Sequence, residues 1–121
     1  MNQKRVLLIE NHPELREALH ELLSSTGSDG VDVATDIVDG FCLAVHEQPT
    51  FVILDTAIAE LNAVTFSGLI HRLAPDSKVI LLVDDAHEYG GLAEAHGAIC
   101  VTKRTVTLDL PLLLRQWCSE R

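Results

Sequence analysis

Apolar positions along this chain gather in five short runs, Val6 to Ile9, Val31 to Ala34, Phe51 to Leu54, Val79 to Val83 and Ile99 to Thr102, each rich in branched aliphatic residues. Runs of this length between polar and turn-forming positions predict strands. Three of them are apolar almost throughout rather than alternating, the pattern of strands covered on both faces by helices in a parallel sheet. Between the runs the period changes. Pro13 opens a stretch in which Leu15, Ala18, Leu19, Leu22 and Leu23 share one face while Glu14, Arg16, Glu17, His20 and Glu21 lie elsewhere, which predicts an amphipathic helix ending near Gly27. A second helix is expected from a cap at Thr35 or Asp36, turning Ile37, Phe41, Ala44 and Val45 inward until Pro49 stops it. A third is expected between Asn62 and Leu73, closed by Pro75, and a fourth from His87 to His96, where Gly90 and Gly91 weaken the start. The last starts near Asp109, admits Pro111 in its first turn and runs through Leu112, Leu113 and Leu114 to Trp117, which is expected to close the core.

Strands alternating with helices, joined by right-handed crossovers, make a doubly wound α/β sandwich. Its length of 121 residues favours a flavodoxin-like arrangement over a dinucleotide-binding one: five parallel strands in the order 2-1-3-4-5 with helices on both faces. No linker, low-complexity tract or repeat interrupts residues 1–121, so a single module is expected.

Charge narrows the function classes. Lys and Arg number 9 against 18 Asp and Glu, a formal charge of -9, which opposes the counterion release that drives binding to nucleic acid or to anionic membranes. This chain alone is therefore expected to contact neither. The apolar runs fall far short of the roughly twenty residues that a membrane span needs. Lys4 and Arg5 precede one run in the manner of a signal peptide, but Glu10 ends it and no cleavage site follows, so a cytoplasmic protein is expected. Cys42, Cys100 and Cys118 are odd in number and outside any CxxC spacing, and are read as reduced thiols. None of the six histidines has metal-ligand spacing.

In doubly wound folds ligands bind at the carboxyl ends of the strands, beside the point where strand order reverses. Those ends are polar here: Glu10 and Asn11 after the first run, Asp55 after the third, Asp84 and Asp85 after the fourth, Thr102 and Lys103 after the fifth. Crowded carboxylates repel one another, and a hard divalent cation with oxygen ligands relieves this, leaving Lys103 to neutralise an incoming anion. The pattern describes a magnesium-dependent phosphoryl site. Asp84 and Asp85 are read apart from it, as polar residues where the chain leaves the core.

The sequence resembles the receiver domain of bacterial response regulators, the CheY-like phosphoacceptor module of two-component signalling. The segment V-L-L-I-E-N-H-P-E-L-R-E-A-L-H-E-L-L from Val6 is similar to the opening of NarL-type receivers, F-V-I-L-D at Phe51 to Asp55 to their phosphoacceptor strand, and V-I-L-L-V at Val79 to Val83 with V-T-K at Val101 to Lys103 to their last two strands. The resemblance implies phosphorelay signal transduction without turnover. Asp55 would be the phosphoacceptor and Lys103 the phosphoryl-binding cation; Mg²⁺ would be held by Glu10, Asn11, Asp55 and the backbone carbonyl of Ala57. A sensor histidine kinase or phosphotransfer protein would be the partner.

The chain departs from the family's pattern at several positions. Asn11 replaces a second acid, which would weaken metal binding. Val83 stands where a Thr or Ser would hydrogen-bond the phosphoryl group, and Cys100 where an aromatic ring would change rotamer; Ile58, Ala59 and Ala63 alter the loop after the phosphoacceptor. These changes keep open an alternative, a degenerate receiver that works by phosphorylation-independent contacts, such as a homodimer through the face of its fourth and fifth helices. A small Mg²⁺-dependent phosphatase on the same fold is disfavoured because position 57, where a general acid would stand, is alanine. A flavin or nucleotide binder is disfavoured because E-N-H-P supplies no cradle of backbone donors. Direct DNA binding would need a domain beyond Arg121.

Overall fold

All five apolar runs form strands, and the intervening sequence supplies the helices that cover them. The computed structural model describes residues 4–58, 63–85 and 97–119, with backbone only for 117–119. Strand β1 (Arg5–Ile9) leads to helix α1 (Pro13–Ser24), β2 (Gly30–Ala34), α2 (Ile37–Glu47), β3 (Phe51–Asp55), α3 (Ala63–Leu73), β4 (Lys78–Val83), β5 (Ala98–Thr102) and α4 (Val106–Ser119). Short 3-10 turns at Thr56–Ile58 and Lys103–Thr105 follow β3 and β5. The fourth helix predicted from sequence, His87 to His96, lies outside the described residues, as do Asn62, Ala59 and the side chain of Trp117; α4 is thus the fifth helix of the sequence reading.

The sheet is parallel throughout in the order β2-β1-β3-β4-β5, as the alternation of strands and helices predicts. Alternate residues of each strand enter opposite layers. Leu7, Ile9, Val52, Leu54, Leu81 and Val83 pack with Ala44, Phe66 and Ile70 of α2 and α3. Val6, Leu8, Phe51, Ile53, Ile80, Leu82 and Val101 pack with Leu19, Leu23, Leu110 and Leu114 of α1 and α4. Glycine matters at Gly40, where a Cβ would lie 2.5 Å from Ile9 Cδ1, so the missing side chain lets α2 settle on β1. At Gly27 a φ of 84° turns the chain away after α1.

Three expectations are corrected. Ala18 is exposed and Val45 is 46% exposed, because both sit at the edge of a helical stripe centred on Leu19 and Leu23 in α1 and on Gly40 and Ala44 in α2. Helix α4 begins at Val106, not near Asp109, so Pro111 lies inside it and beyond its first turn. The 3-10 turn at Lys103–Thr105 runs directly into α4, and Thr105 Oγ1 bonds Asp109, which pulls this segment into the helix. The bond that Pro111 cannot donate falls on Thr107, an exposed residue whose carbonyl water can satisfy.

Candidate functional site

Strand order reverses between β1 and β3, since the chain moves out to β2 and then returns to the other side of β1. The carboxyl ends of these two strands therefore flank the crevice where this fold binds ligands. Glu10 follows β1 there and Asp55 ends β3, with 0% and 2% of their surface exposed. Lys103, just past β5, reaches across the end of β4 to place Nζ 2.7 Å from Asp55 Oδ1. The Ala57 N–H donates to the same oxygen at 2.9 Å, from the 3-10 turn that Thr56 anchors by donating to the Leu82 carbonyl at 3.0 Å.

Glu10 Oε2 accepts from the His12 N–H at 3.2 Å, while Oε1 is buried and has no hydrogen-bond partner. His12 caps α1, its Nδ1 accepting from Leu15 N–H. Two acids and one amine from three separate strands thus meet around one point.

Their protonation follows. Burial, and then the closeness and charge of the Asp55 carboxyl, push the Glu10 carboxyl up to about 7, against the opposing pull of the His12 N–H and of Lys103. Burial also acts to raise Asp55, but the contacts from Glu10, Lys103 and the Ala57 N–H outweigh it and hold this carboxyl below the usual range. Lys103 is correspondingly raised: burial opposes its charge, but the Asp55 and Asp84 carboxylates more than compensate. The arrangement presents an ionised carboxylate with a cation beside it and a neighbouring acid raised to about 7.

The other predicted positions divide. Asn11 and Ala57 are exposed at the rim, Ala57 bound to Asp55 through its amide. Val83 is fully buried in the layer beneath α2 and α3, opposite Thr102 of β5, and Cys100 is half-buried in that same layer. One residue that the sequence reading set apart does join the group: Asp84 Oδ1 lies 3.5 Å from Lys103 Nζ. The signal was its place at the end of the strand adjacent to β5. A further relay lies behind Lys103, where Thr102 and Thr105 hydroxyls are 2.9 Å apart and Thr105 bonds Asp109. Among the described residues no three His, Cys, Asp or Glu side chains converge in a metal-binding group.

Residues 6–110 match the family model of the response regulator receiver domain. This chain belongs to that family. As a receiver it is 28% identical over 78 residues to the positive transcription regulator of virulence factors BvgA from Bordetella pertussis, an alignment covering 64% of this chain and 37% of BvgA. The chain thus spans a little over a third of that relative's length. Solved structures of similar fold include a CheY-like receiver domain from Methanospirillum hungatei JF-1 (TM-score 0.85, 19% identity, 98% of this chain and 96% of the other). A LuxR-family DNA-binding response regulator from Staphylococcus aureus gives a TM-score of 0.80 at 20% identity over 93% and 97% of the two chains. The receiver is a signalling module of the two-component type, and no helix among the described residues is long and apolar enough to cross a membrane.

Proposed function

We propose that this receiver accepts a phosphoryl group on Asp55 and signals through the contacts that follow. The observation that carries the reading is the 2.7 Å pairing of Asp55 with Lys103 beside the buried Glu10. An Asp55 carboxylate oxygen attacks phosphorus; the O–P bond forms as the bond from phosphorus to the donor's leaving atom breaks, and that atom keeps the electron pair. A phosphohistidine of a sensor kinase or phosphotransfer protein is the donor the family implies, with imidazole nitrogen as the leaving atom. Lys103 balances the charge that the phosphoryl oxygens bring.

Magnesium fits the donor set. Glu10, Asp55, the Asn11 side-chain oxygen and the Ala57 carbonyl are hard oxygen ligands, and the unpartnered, buried Glu10 Oε1 is the kind of atom a cation would satisfy. When bound, the ion would offset charge on the transferring phosphoryl group.

The test is intact-mass spectrometry after incubation with acetyl phosphate and Mg²⁺: one added phosphate is expected, absent from Asp55→Asn. No addition to the wild type overturns the phosphoacceptor reading and leaves the degenerate receiver, which Val83 and the half-buried Cys100 favour. Either form would act on partners. Leu108 and Leu112, one turn apart on α4 and 68% and 61% exposed, support a homodimer on that face, which sedimentation of Leu112→Glu would test.

A further inference from the structure

We infer that Asp84 is an electrostatic gate on phosphoryl uptake, a resident anion that occupies Lys103 and disfavours highly charged donors. The inference rests on the reading of Asp55 as phosphoacceptor. Lys103 has three N–H donors, and two are engaged: one with Asp55 Oδ1 at 2.7 Å and one directed at Asp84 Oδ1 at 3.5 Å. An incoming phosphoryl oxygen therefore meets an ammonium already flanked by two carboxylates. Asp84 sits on the open side, its side chain 75% exposed, whereas the Asp55 side chain is 3% exposed. Its long, solvated contact with Lys103 is a weak one that a phosphoryl group can displace.

The cost falls on approach. Asp84 follows directly on Val83, which has no hydroxyl to draw a phosphoryl oxygen in. The end of β4 thus offers the donor a negative charge and no side-chain hydroxyl. A dianion approaching to within several ångströms is repelled by that charge about twice as strongly as a monoanion, and salt screens both. Asp84 is a specificity-determining residue in this sense: it acts on donor charge through Lys103.

The experiment compares initial phosphorylation rates of the wild type, Asp84→Asn and Asp84→Glu by intact mass in Mg²⁺, at low and high ionic strength. Acetyl phosphate is the dianionic donor, releasing acetate as the Asp55 O–P bond forms. Phosphoramidate, whose ammonium and phosphoryl charges leave a net monoanion, releases ammonia in the same step. Asp84→Asn is expected to raise the acetyl phosphate rate about three- to tenfold at low salt, to raise the phosphoramidate rate less, and to lose most of its gain at high salt. Asp84→Glu should stay near the wild type. Unchanged rates in Asp84→Asn, or an equal gain for both donors at every salt concentration, overturn the inference. If neither wild type nor variant takes up phosphate, the phosphoacceptor reading itself fails and the gate with it.

Discussion

The carboxyl of Glu10 lies against that of Asp55 with almost no solvent access to either, and the two are displaced in opposite directions, Glu10 up to about 7 and Asp55 down. Lys103 explains the split: it contacts Asp55 directly, so the charge settles there and Glu10 holds the proton. Two carboxylates this close cannot both ionise cheaply without a further cation.

That relationship sets a pH dependence of stability. A carboxyl whose folded pKa exceeds its ordinary 4.5 holds a proton that the unfolded chain has released across the window from 4.5 to about 7. Stability contributed by Glu10 is therefore present at the acid side of this window and lost as pH rises through it, by on the order of 3 kcal/mol. The lowered Asp55 has the opposite sign and acts below its ordinary 3.8, outside the window. Glu10→Gln keeps the shape without the charge, so its urea midpoint should be higher than the wild type's near pH 8 and flatter between about pH 5 and pH 8. A variant as pH-sensitive as the parent would refute the assignment.

Magnesium should act on the same carboxyl. A cation competes with the proton on Glu10, so added Mg²⁺ is expected to raise the melting temperature more at about pH 8 than at about pH 5. Glu10→Gln should abolish most of this difference. Equal stabilisation at both pH values would place the cation elsewhere.

Lys103 supports the fold as well as the proposed chemistry. Replacing it by Met leaves the Asp55 carboxylate desolvated beside Glu10, with no cation. Complete burial of such a pair would make the loss several kcal/mol, but the Lys103 side chain is 22% exposed, which reduces it to about 2 kcal/mol. Adding Asp55→Asn to Lys103→Met should recover most of that, because the orphaned charge is then gone. Chemical denaturation of the four proteins in the cycle reads the coupling directly.

Much of this was visible in the sequence for a physical reason. Buried parallel strands must be apolar on both faces, so Phe51 to Leu54 and Val79 to Val83 announce themselves, and the first polar residue after each marks the edge where ligands bind. Glu10, Asp55 and Lys103 stand out in this way, and the fold brings them together. Asp84 was set aside, because a carboxylate after a strand reads as an ordinary exit residue until the neighbouring strand is known to carry Lys103. The start of α4 was missed since proline argued for a first turn near Asp109, whereas packing of Val106 and Leu110 into the core holds a helix around Pro111. Ala18 and Val45 show the limit of periodicity: a stripe has edges, and its pattern does not say which apolar residues fall on them.

The approach of α2 to β1 is set by Gly40. A methyl there would come within 2.5 Å of Cδ1 and 3.0 Å of Cγ1 of Ile9, a side chain with no exposed surface and so little room to turn. Gly40→Ala gains about 1 kcal/mol of helix propensity. Overpacking costs more, typically about 1–3 kcal/mol, so a net loss of about 1 kcal/mol is expected. Ile9→Val removes Cδ1 and should make Gly40→Ala neutral or stabilising in that background. Thermal melts of the two backgrounds decide it; a Gly40→Ala that stabilises the wild type would mean that α2 moves freely on β1.

Val83 is the residue that most separates a competent receiver from a degenerate one. Val83 is fully buried at the end of β4, one residue before the Asp84 carboxylate that reaches Lys103. Val83→Thr changes almost no volume but buries a hydroxyl, which costs about 1–2 kcal/mol while that group has no partner. If Asp55 carries a phosphoryl group, the hydroxyl gains a charged acceptor, and such a bond contributes more than a neutral one, by about 1.5–3 kcal/mol in all. The variant should therefore melt lower than the wild type, yet hold its aspartyl phosphate about tenfold longer after acetyl phosphate is removed, as followed by loss of the added mass. The two effects have opposite signs and one cause, so a core defect alone cannot produce both. A Val83→Thr protein that is less stable and releases phosphate no more slowly would show that the end of β4 is turned away from the transferred group, and that the missing hydroxyl is not what limits this receiver.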